Sequence, residues 1–360
     1  MLLQEEIVNT TVGWVRKHQV GAFFLLTFGI TWTSWILGFI LFPEDELLQA
    51  PFVKVGVFAP ALVSILISSL INSKLGKGSV LARWAIFGIV WPVAWLQLVL
   101  YAHVISDLMI HAKLIVVGGI ISTLPAFVIS GALSRNEGVQ AHLASIINPR
   151  GNPVWYLFAI LIIPVTMALG VVISLALGNS LPAPDHAIQG VSYLQILGMI
   201  MLVFLNELLQ AGGLPEEPGW RGFALPRLQT RVSPLTASII LGPLWALWHG
   251  PLLIGMLQEA GPWRMILRIL MIGVTFTWLY NRTSGSLLAV MLLHASWNTA
   301  LAFLPRTDTF LFLMAGLLTV LVVVDRMWEK LSPDSAALYR GAEEVTQPLT
   351  GGMPGCGVDR

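Results

Sequence analysis

The segment VWYLFAILIIPVTMALGVVISLAL, residues 154–177, contains no charged residue. A helix needs about 20 consecutive apolar residues to cross a bilayer, so this segment is long enough to span one. The other apolar segments are Val20–Phe42, Phe52–Ile71, Arg83–Ile105, Leu114–Leu133, Leu194–Gly212, Pro234–Leu253, Met265–Tyr280, Leu287–Leu304 and Thr309–Val324. The sequence therefore predicts an all-α, polytopic transmembrane bundle of about 8–10 membrane helices, forming a single domain over residues 1–331.

The composition agrees with residence in a lipid bilayer and excludes nucleic-acid binding. Hydrophobic residues make up 56% of the 360-residue chain, charged residues make up 11%, and the net charge is +1. A nucleic-acid-binding protein needs a basic patch or stripe, and the sequence contains none. From about Ser332 to Arg360 the chain holds Pro, Gly, Ser and charges without periodicity, which predicts a disordered tail.

Basic residues concentrate on alternate connections between the apolar segments. They are Arg16, Lys17, Lys74, Lys77, Arg83, Arg135, Arg150, Arg221, Arg227, Arg231, Arg282, Arg326 and Lys330. Lys113, Arg264 and Arg306 run against this trend. Because basic loops stay on the cytoplasmic side, the pattern predicts a multi-pass membrane protein with both termini cytoplasmic.

Three groups of polar residues interrupt the apolar sequence between residues 194 and 304. They are Glu216, Glu217 and Arg221; His249; and His294 with Asn298. Ionisable groups within membrane segments are costly, and they persist where they pair, line water or do chemistry. Each group also has a structural interpretation: a solvated acidic turn, an interfacial histidine beside tryptophans, and a pair that packs helices together.

The spacing of these groups makes geometric predictions. His294 and Asn298 lie four residues apart and share one helical face. The stretch Leu194–Leu228 is too long for one span, so it is either a span followed by an amphipathic piece or a re-entrant one buried in protein. Glu216 meets His249 and His294 only if its segment dips into the membrane or the next helix is tilted or kinked near Pro243.

Several other polar residues are predicted to lie outside the site. Glu207 near the end of the sixth apolar segment either lines the same cavity or snorkels to the interface, and the second interpretation is preferred. The remaining histidines of the apolar domain are predicted to lie at the surface: His103, His111, His142 and His186.

Together the three groups suit hydrolysis of an amide. Such a reaction needs an activated water, a base that takes its proton and donors for the oxyanion. A glutamate and a histidine can prepare the water, and a histidine and an asparagine can stabilise the oxyanion. No serine or cysteine nucleophile is recognisably placed beside a His/Asp partner.

The order Glu-Glu-x-x-x-Arg, aromatic-x-x-x-His and His-x-x-x-Asn resembles the CAAX prenyl endopeptidase and bacteriocin-processing family (CPBP, or Abi) of intramembrane proteases. The matching residues are Glu216, Glu217, Arg221, Trp245, His249, His294 and Asn298. The resemblance covers roughly Leu194–Leu304, and many members have Phe where Trp245 stands. It implies an endopeptidase that cleaves near the C-terminus of a membrane-associated or lipidated peptide.

The resemblance implies a role for each of these residues. Glu216 and His249 would activate water, and His294 and Asn298 would stabilise the oxyanion. Glu217 and Arg221 would support the site. The metal question stays open: Glu216, His249 and His294 are candidate Zn²⁺ ligands, although no His-Glu-x-x-His helix is present and a metal-free mechanism is favoured. Two other functions compete. One is a non-catalytic immunity or regulatory partner that keeps the family fold, and the other is a transporter, which would predict duplicated halves.

Overall fold

The structure is a computed structural model that describes residues 10, 12–72, 74–76, 78–182, 190–250, 258 and 261–332. These residues form helices, and within them a single β-bridge joins Leu75 to Asn136. The helices are α1 Gln19–Leu41, α2 Glu46–Ile71, α3 Val80–Val104, α4 Ala112–Ile121, α5 Thr123–Ser130, α6 Glu137–Ile147, α7 Val154–Ala176, α8 Tyr193–Asn206, α9 Gly213–Gly219, α10 Leu225–Gln229, α11 Pro234–Trp248, α12 Pro262–Arg282, α13 Leu287–Phe303 and α14 Asp308–Val324. Apart from Ser332, the predicted tail lies outside the described residues.

Seven helical stretches among the described residues are long and apolar enough to cross a membrane. They are Gln19–Leu41, Glu46–Ile71, Val80–Val104, Ala112–Ser130, Val154–Ala176, Tyr193–Gln229 and Pro262–Arg282. Three shorter apolar helices, α11, α13 and α14, accompany them. These stretches coincide with the apolar segments of the sequence, so the predicted polytopic helical bundle is confirmed.

Serine residues begin three of the helices that carry the polar groups. Ser192 and Gln195 form a reciprocal capping box at the start of α8. Ser233 caps α11 and is followed by Pro234 at the first helical position. Ser286 caps α13 through the N–H of Ala289. A serine oxygen satisfies an N–H that the first helical turn leaves without an intrahelical partner, so these residues fix where each helix starts.

The run Tyr193–Gln229 is one continuous helical stretch of 37 residues. At 1.5 Å per residue it is about 55 Å long, well beyond the roughly 30 Å of a hydrocarbon core. Two π-helical turns, Glu207–Ala211 and Trp220–Ala224, divide it. Every residue of α9, which follows the first π turn, is buried. The stretch beyond this π turn therefore continues into the interior of the bundle.

Close packing against α2 and α1 holds α9 in the interior. A Cβ atom on Gly219 would lie 2.4 Å from the carbonyl oxygen of Pro60, so only glycine permits this approach of α9 to α2. The next residue, Trp220, packs edge-on against Phe23 with ring centroids 5.3 Å apart, and against Trp248 at 5.7 Å. Each such aromatic pair contributes about 0.5–1.5 kcal/mol beyond its area burial.

Two local predictions are wrong. The helix expected over Pro234–Leu253 ends at Trp248, because Gly250 adopts a left-handed conformation (φ 54°) that terminates it. The last three residues of the expected segment, 251–253, lie outside the described residues. His142, expected at the surface, is buried on α6, and its Nε2 lies 2.9 Å from Oγ of Ser64 on α2.

Candidate active site

Glu217 joins two helices through one carboxylate oxygen. Its Oε1 accepts from Nη1 of Arg221 at 3.1 Å and lies 2.7 Å from Nδ1 of His294 on α13. The Glu217 side chain is fully buried, and those of Arg221 and His294 are almost so. The Arg221 guanidinium also lies 4.7 Å from the ring centroid of Phe276. The acidic pair is therefore part of the interior, and the interpretation as a solvated turn is wrong.

Glu216 has a different partner from Glu217. Its Oε2 accepts from the indole Nε1–H of Trp245 on α11 at 2.6 Å. Consecutive residues of an α-helix point about 100° apart, because a turn contains 3.6 residues. Adjacent acids therefore face different neighbours: Glu217 contacts α13, while Glu216 contacts α11. The buried run of the long helix thus brings Glu216 to the helix that precedes His249.

His249 lies at the C-terminal end of α11, just past its last helical residue. Its Nδ1 lies 2.9 Å from the carbonyl oxygen of Trp245, one turn earlier. Because a carbonyl oxygen can only accept, Nδ1 carries the proton in this contact, and the neutral ring keeps its lone pair on Nε2. An imidazole in this tautomer can accept a proton or ligate a metal through Nε2.

Asn298 follows His294 by one turn on α13 and bonds to Glu207 at the start of the first π turn. The distance from Asn298 Nδ2 to Glu207 Oε2 is 2.7 Å. The Glu207 carboxylate is therefore directed to a neighbouring helix, and its position at the membrane interface stays a prediction. The sequence signal for such a contact is the presence of a charged residue within an apolar span, because such a residue usually has a specific partner.

Gly212 makes room for the His294 ring. A Cβ atom at this position would lie 2.6 Å from both Cδ2 and Nε2 of the imidazole, closer than nonbonded atoms approach. At Gly213 a Cβ atom would lie 3.1 Å from the carbonyl oxygen of Met291 on α13. The pair Gly212-Gly213 therefore lets the long helix pass close to α13 at the level of the histidine.

Four of the predicted residues line one cavity of about 360 Å³. The lining comprises Glu216, Trp245, His249, Met265, Arg268, Ile269, Ile272, His294, Trp297, Asn298, Leu301 and Arg306. Glu217 and Arg221 are not among its lining residues. Two arginines of the lining were not predicted: Arg268 was not singled out, and Arg306 was counted only among the loop charges. Neither belongs to a spaced motif, so only the folded structure shows that both line this cavity.

The residues do not fit a metal centre. Within the described part of the chain, no three His, Cys, Asp or Glu side chains are grouped as metal ligands. The candidate ligands Glu216, His249 and His294 therefore do not form a grouped Zn²⁺ site as they are placed here.

Comparison with known proteins agrees with the resemblance seen in the motifs. Residues 194–300 match a family model described as Type II CAAX prenyl endopeptidase Rce1-like. A protein named CAAX prenyl protease 2 from Methanococcus maripaludis is 27% identical over 194 residues, which cover 51% of this chain and 68% of that protein. The predicted resemblance is thereby confirmed, and both matches support an intramembrane protease-like function for this multi-pass membrane protein.

Proposed function

We propose that this protein is an intramembrane endopeptidase that hydrolyses a peptide bond in a membrane-associated or lipidated protein. The observation that carries the proposal is that Glu216, His249, His294 and Asn298, from three different helical regions, line one cavity. A base, a second proton acceptor and two oxyanion donors around one space form the constellation that amide hydrolysis needs.

In the proposed reaction a water molecule lies between Glu216 and His249. As its oxygen attacks the scissile carbonyl carbon, Glu216 takes one proton, and His249 accepts a hydrogen bond through Nε2. The tetrahedral intermediate then collapses as the C–N bond breaks. The proton returns to the leaving nitrogen, so the products are one carboxyl group and one amine. Trp245 holds Glu216 in place through the 2.6 Å hydrogen bond.

The oxyanion is stabilised by His294 and Asn298, one helical turn apart on α13. For His294 to donate through Nε2, its ring must also carry the Nδ1 proton that faces Glu217. The Glu217 carboxylate then compensates the positive charge of the ring, and Arg221 holds that carboxylate from the other side. The roles of Glu217 and Arg221 are thus to orient and to balance charge.

The proposed substrate class follows from the surroundings of the cavity and from the relative's name. The cavity lies in a bundle of helices long and apolar enough to cross a membrane, which favours a substrate held at the bilayer. The archaeal relative is named as a prenyl protease, which makes peptides with a prenylated cysteine the first substrates to test.

The test uses purified protein in nanodiscs and a panel of prenylated and unprenylated peptides with free C-termini. Products are identified by mass spectrometry for the wild type and for the His249→Ala and Asn298→Ala variants. Thr319→Ala, a substitution at an exposed position on α14, is the matched control. Cleavage by wild type and control, with strong loss in both site variants, is expected. A wild type that cleaves nothing in the panel, or equal cleavage by all four proteins, would contradict the proposal and favour a non-catalytic partner.

A further inference from the structure

Glu207 is a carboxylate within a long apolar helical run, and the proposed reaction does not use it. A charged group in such a segment is costly and usually has a specific partner. Its partner is Asn298, at 2.7 Å, one of the two proposed oxyanion donors. The contact joins the first π turn to α13.

The carboxylate determines how the Asn298 amide is oriented. An ionised carboxylate can only accept hydrogen bonds, so the group that faces it must be the NH₂ of the amide, which leaves the amide oxygen on the other side. The NH₂ group has two N–H bonds, and Glu207 takes one of them. The second remains for another acceptor, such as an oxyanion in the adjoining cavity.

The π turn is what brings Glu207 to this position. The N–H of Gly212 donates to the carbonyl oxygen of Glu207, five residues earlier, at 2.9 Å. Residues five apart in an α-helix would point about 140° apart, since each residue turns the chain by 100°. The i to i+5 hydrogen bond of a π turn instead brings them closer to one face of the helix. Glu207 and Gly212 consequently meet α13 together, at Asn298 and at His294.

Lys54 on α2 accompanies the same turn. Its Nζ donates to the carbonyl oxygen of Gln210, inside the π turn, at 2.8 Å. The lysine therefore satisfies a backbone carbonyl of the irregular turn that contains Glu207, a group that would be costly to leave unpaired in an apolar bundle.

We infer that Glu207 is a positioning residue that orients the Asn298 amide, so that one N–H of Asn298 remains directed to the oxyanion of the proposed reaction. The inference rests on the proposed function. It predicts that Glu207 affects the reaction only through Asn298. It also predicts an effect mainly on kcat and little on KM, because Asn298 donates to a group that forms in the transition state.

The test is a double-mutant cycle on peptide cleavage with Glu207→Ala, Asn298→Ala and the combined variant. Glu207→Ala is expected to lower kcat about 10- to 100-fold, a typical effect of removing a group that orients a site residue, with KM changed little. On the Asn298→Ala background it should have no further effect. Glu207→Gln keeps an acceptor for Asn298 and should restore most of the rate. Asn206→Ala, which removes the adjacent buried polar side chain, is the matched control and should leave kcat unchanged.

Thermal unfolding of each variant separates loss of folding from loss of rate. A Glu207→Ala variant with wild-type kcat would overturn the inference, and so would losses that simply multiply in the combined variant. In both cases the wild type is active and the proposed function stands. A wild type that cleaves no peptide would overturn the proposed function together with this inference.

Discussion

Glu217 Oε1 lies 2.7 Å from Nδ1 of His294, while the neighbouring Glu216 directs its carboxylate to Trp245. Two acids that are adjacent in the sequence therefore belong to different parts of the site. One is buried behind the cavity and orients a histidine, and the other lines the cavity. This division of roles predicts that substitutions at the two positions will have different consequences.

Replacing Glu217 should affect folding more than replacing Glu216. Glu217→Ala removes the partner of Arg221, whose side chain is 1% exposed, and leaves a buried charge without compensation. Breaking a buried pair in this way costs about 3–5 kcal/mol. Chemical unfolding in detergent would measure the loss. Glu329→Ala, which breaks an exposed pair with Arg326, is the control and should change little. A Glu217→Ala protein as stable as Glu329→Ala would contradict this assignment.

Gly212→Ala should inactivate the protein by displacing the His294 ring. The added Cβ would lie 2.6 Å from two ring atoms, so the imidazole or the helix must shift. Misplacement of a reacting group by about 1 Å can lower a rate about 100-fold. The matched control is Gly198→Ala in α8, where a Cβ meets nothing within 4 Å. The measurement is the steady-state rate of peptide cleavage by the two variants. A Gly212→Ala variant as active as Gly198→Ala would be inconsistent with this packing.

Much of the fold could be predicted from the sequence because apolar length alone identifies membrane helices. The order of Glu216, His249, His294 and Asn298 likewise predicted a site, and the structure places the four residues around one cavity. The end of α11 is marked in the sequence by Gly250 followed by Pro251, a pattern typical of helix ends, but the apolar pattern continues past Trp248 and favours a longer helix. The contact between Glu207 and Asn298 could not be predicted. Glu207 lies in a π turn, and the spacing rules for α-helices do not predict which face of the helix such a turn presents to α13.

Trp245→Phe should slow cleavage without preventing it. Phenylalanine keeps the aromatic packing but removes the N–H that donates to Glu216 at 2.6 Å. A hydrogen bond to a charged group contributes about 1.5–3 kcal/mol, so kcat should fall about 10- to 150-fold. The rate should lie between those of wild type and Glu216→Gln. A Trp245→Phe variant as slow as Glu216→Gln would mean that the indole itself takes part in the reaction.

Removing metal ions should leave cleavage unchanged. The described residues contain no grouped set of three metal-ligating side chains. After treatment with a strong chelator, the rate should stay within about twofold of the untreated protein, because no essential ion is withdrawn. Loss of activity that returns on addition of Zn²⁺ would show instead that the site rearranges to bind metal.

The most direct test of the central claim is the rate of cleavage by Glu216→Gln compared with wild type, for protein in nanodiscs with an identified peptide substrate. Glutamine has the shape of glutamate and can still accept from Trp245, but it cannot take a proton from water. Loss of a general base lowers a rate about 10²- to 10⁴-fold, so kcat should fall by that range while the unfolding temperature stays near that of wild type. A folded Glu216→Gln protein that cleaves at the wild-type rate would contradict the account.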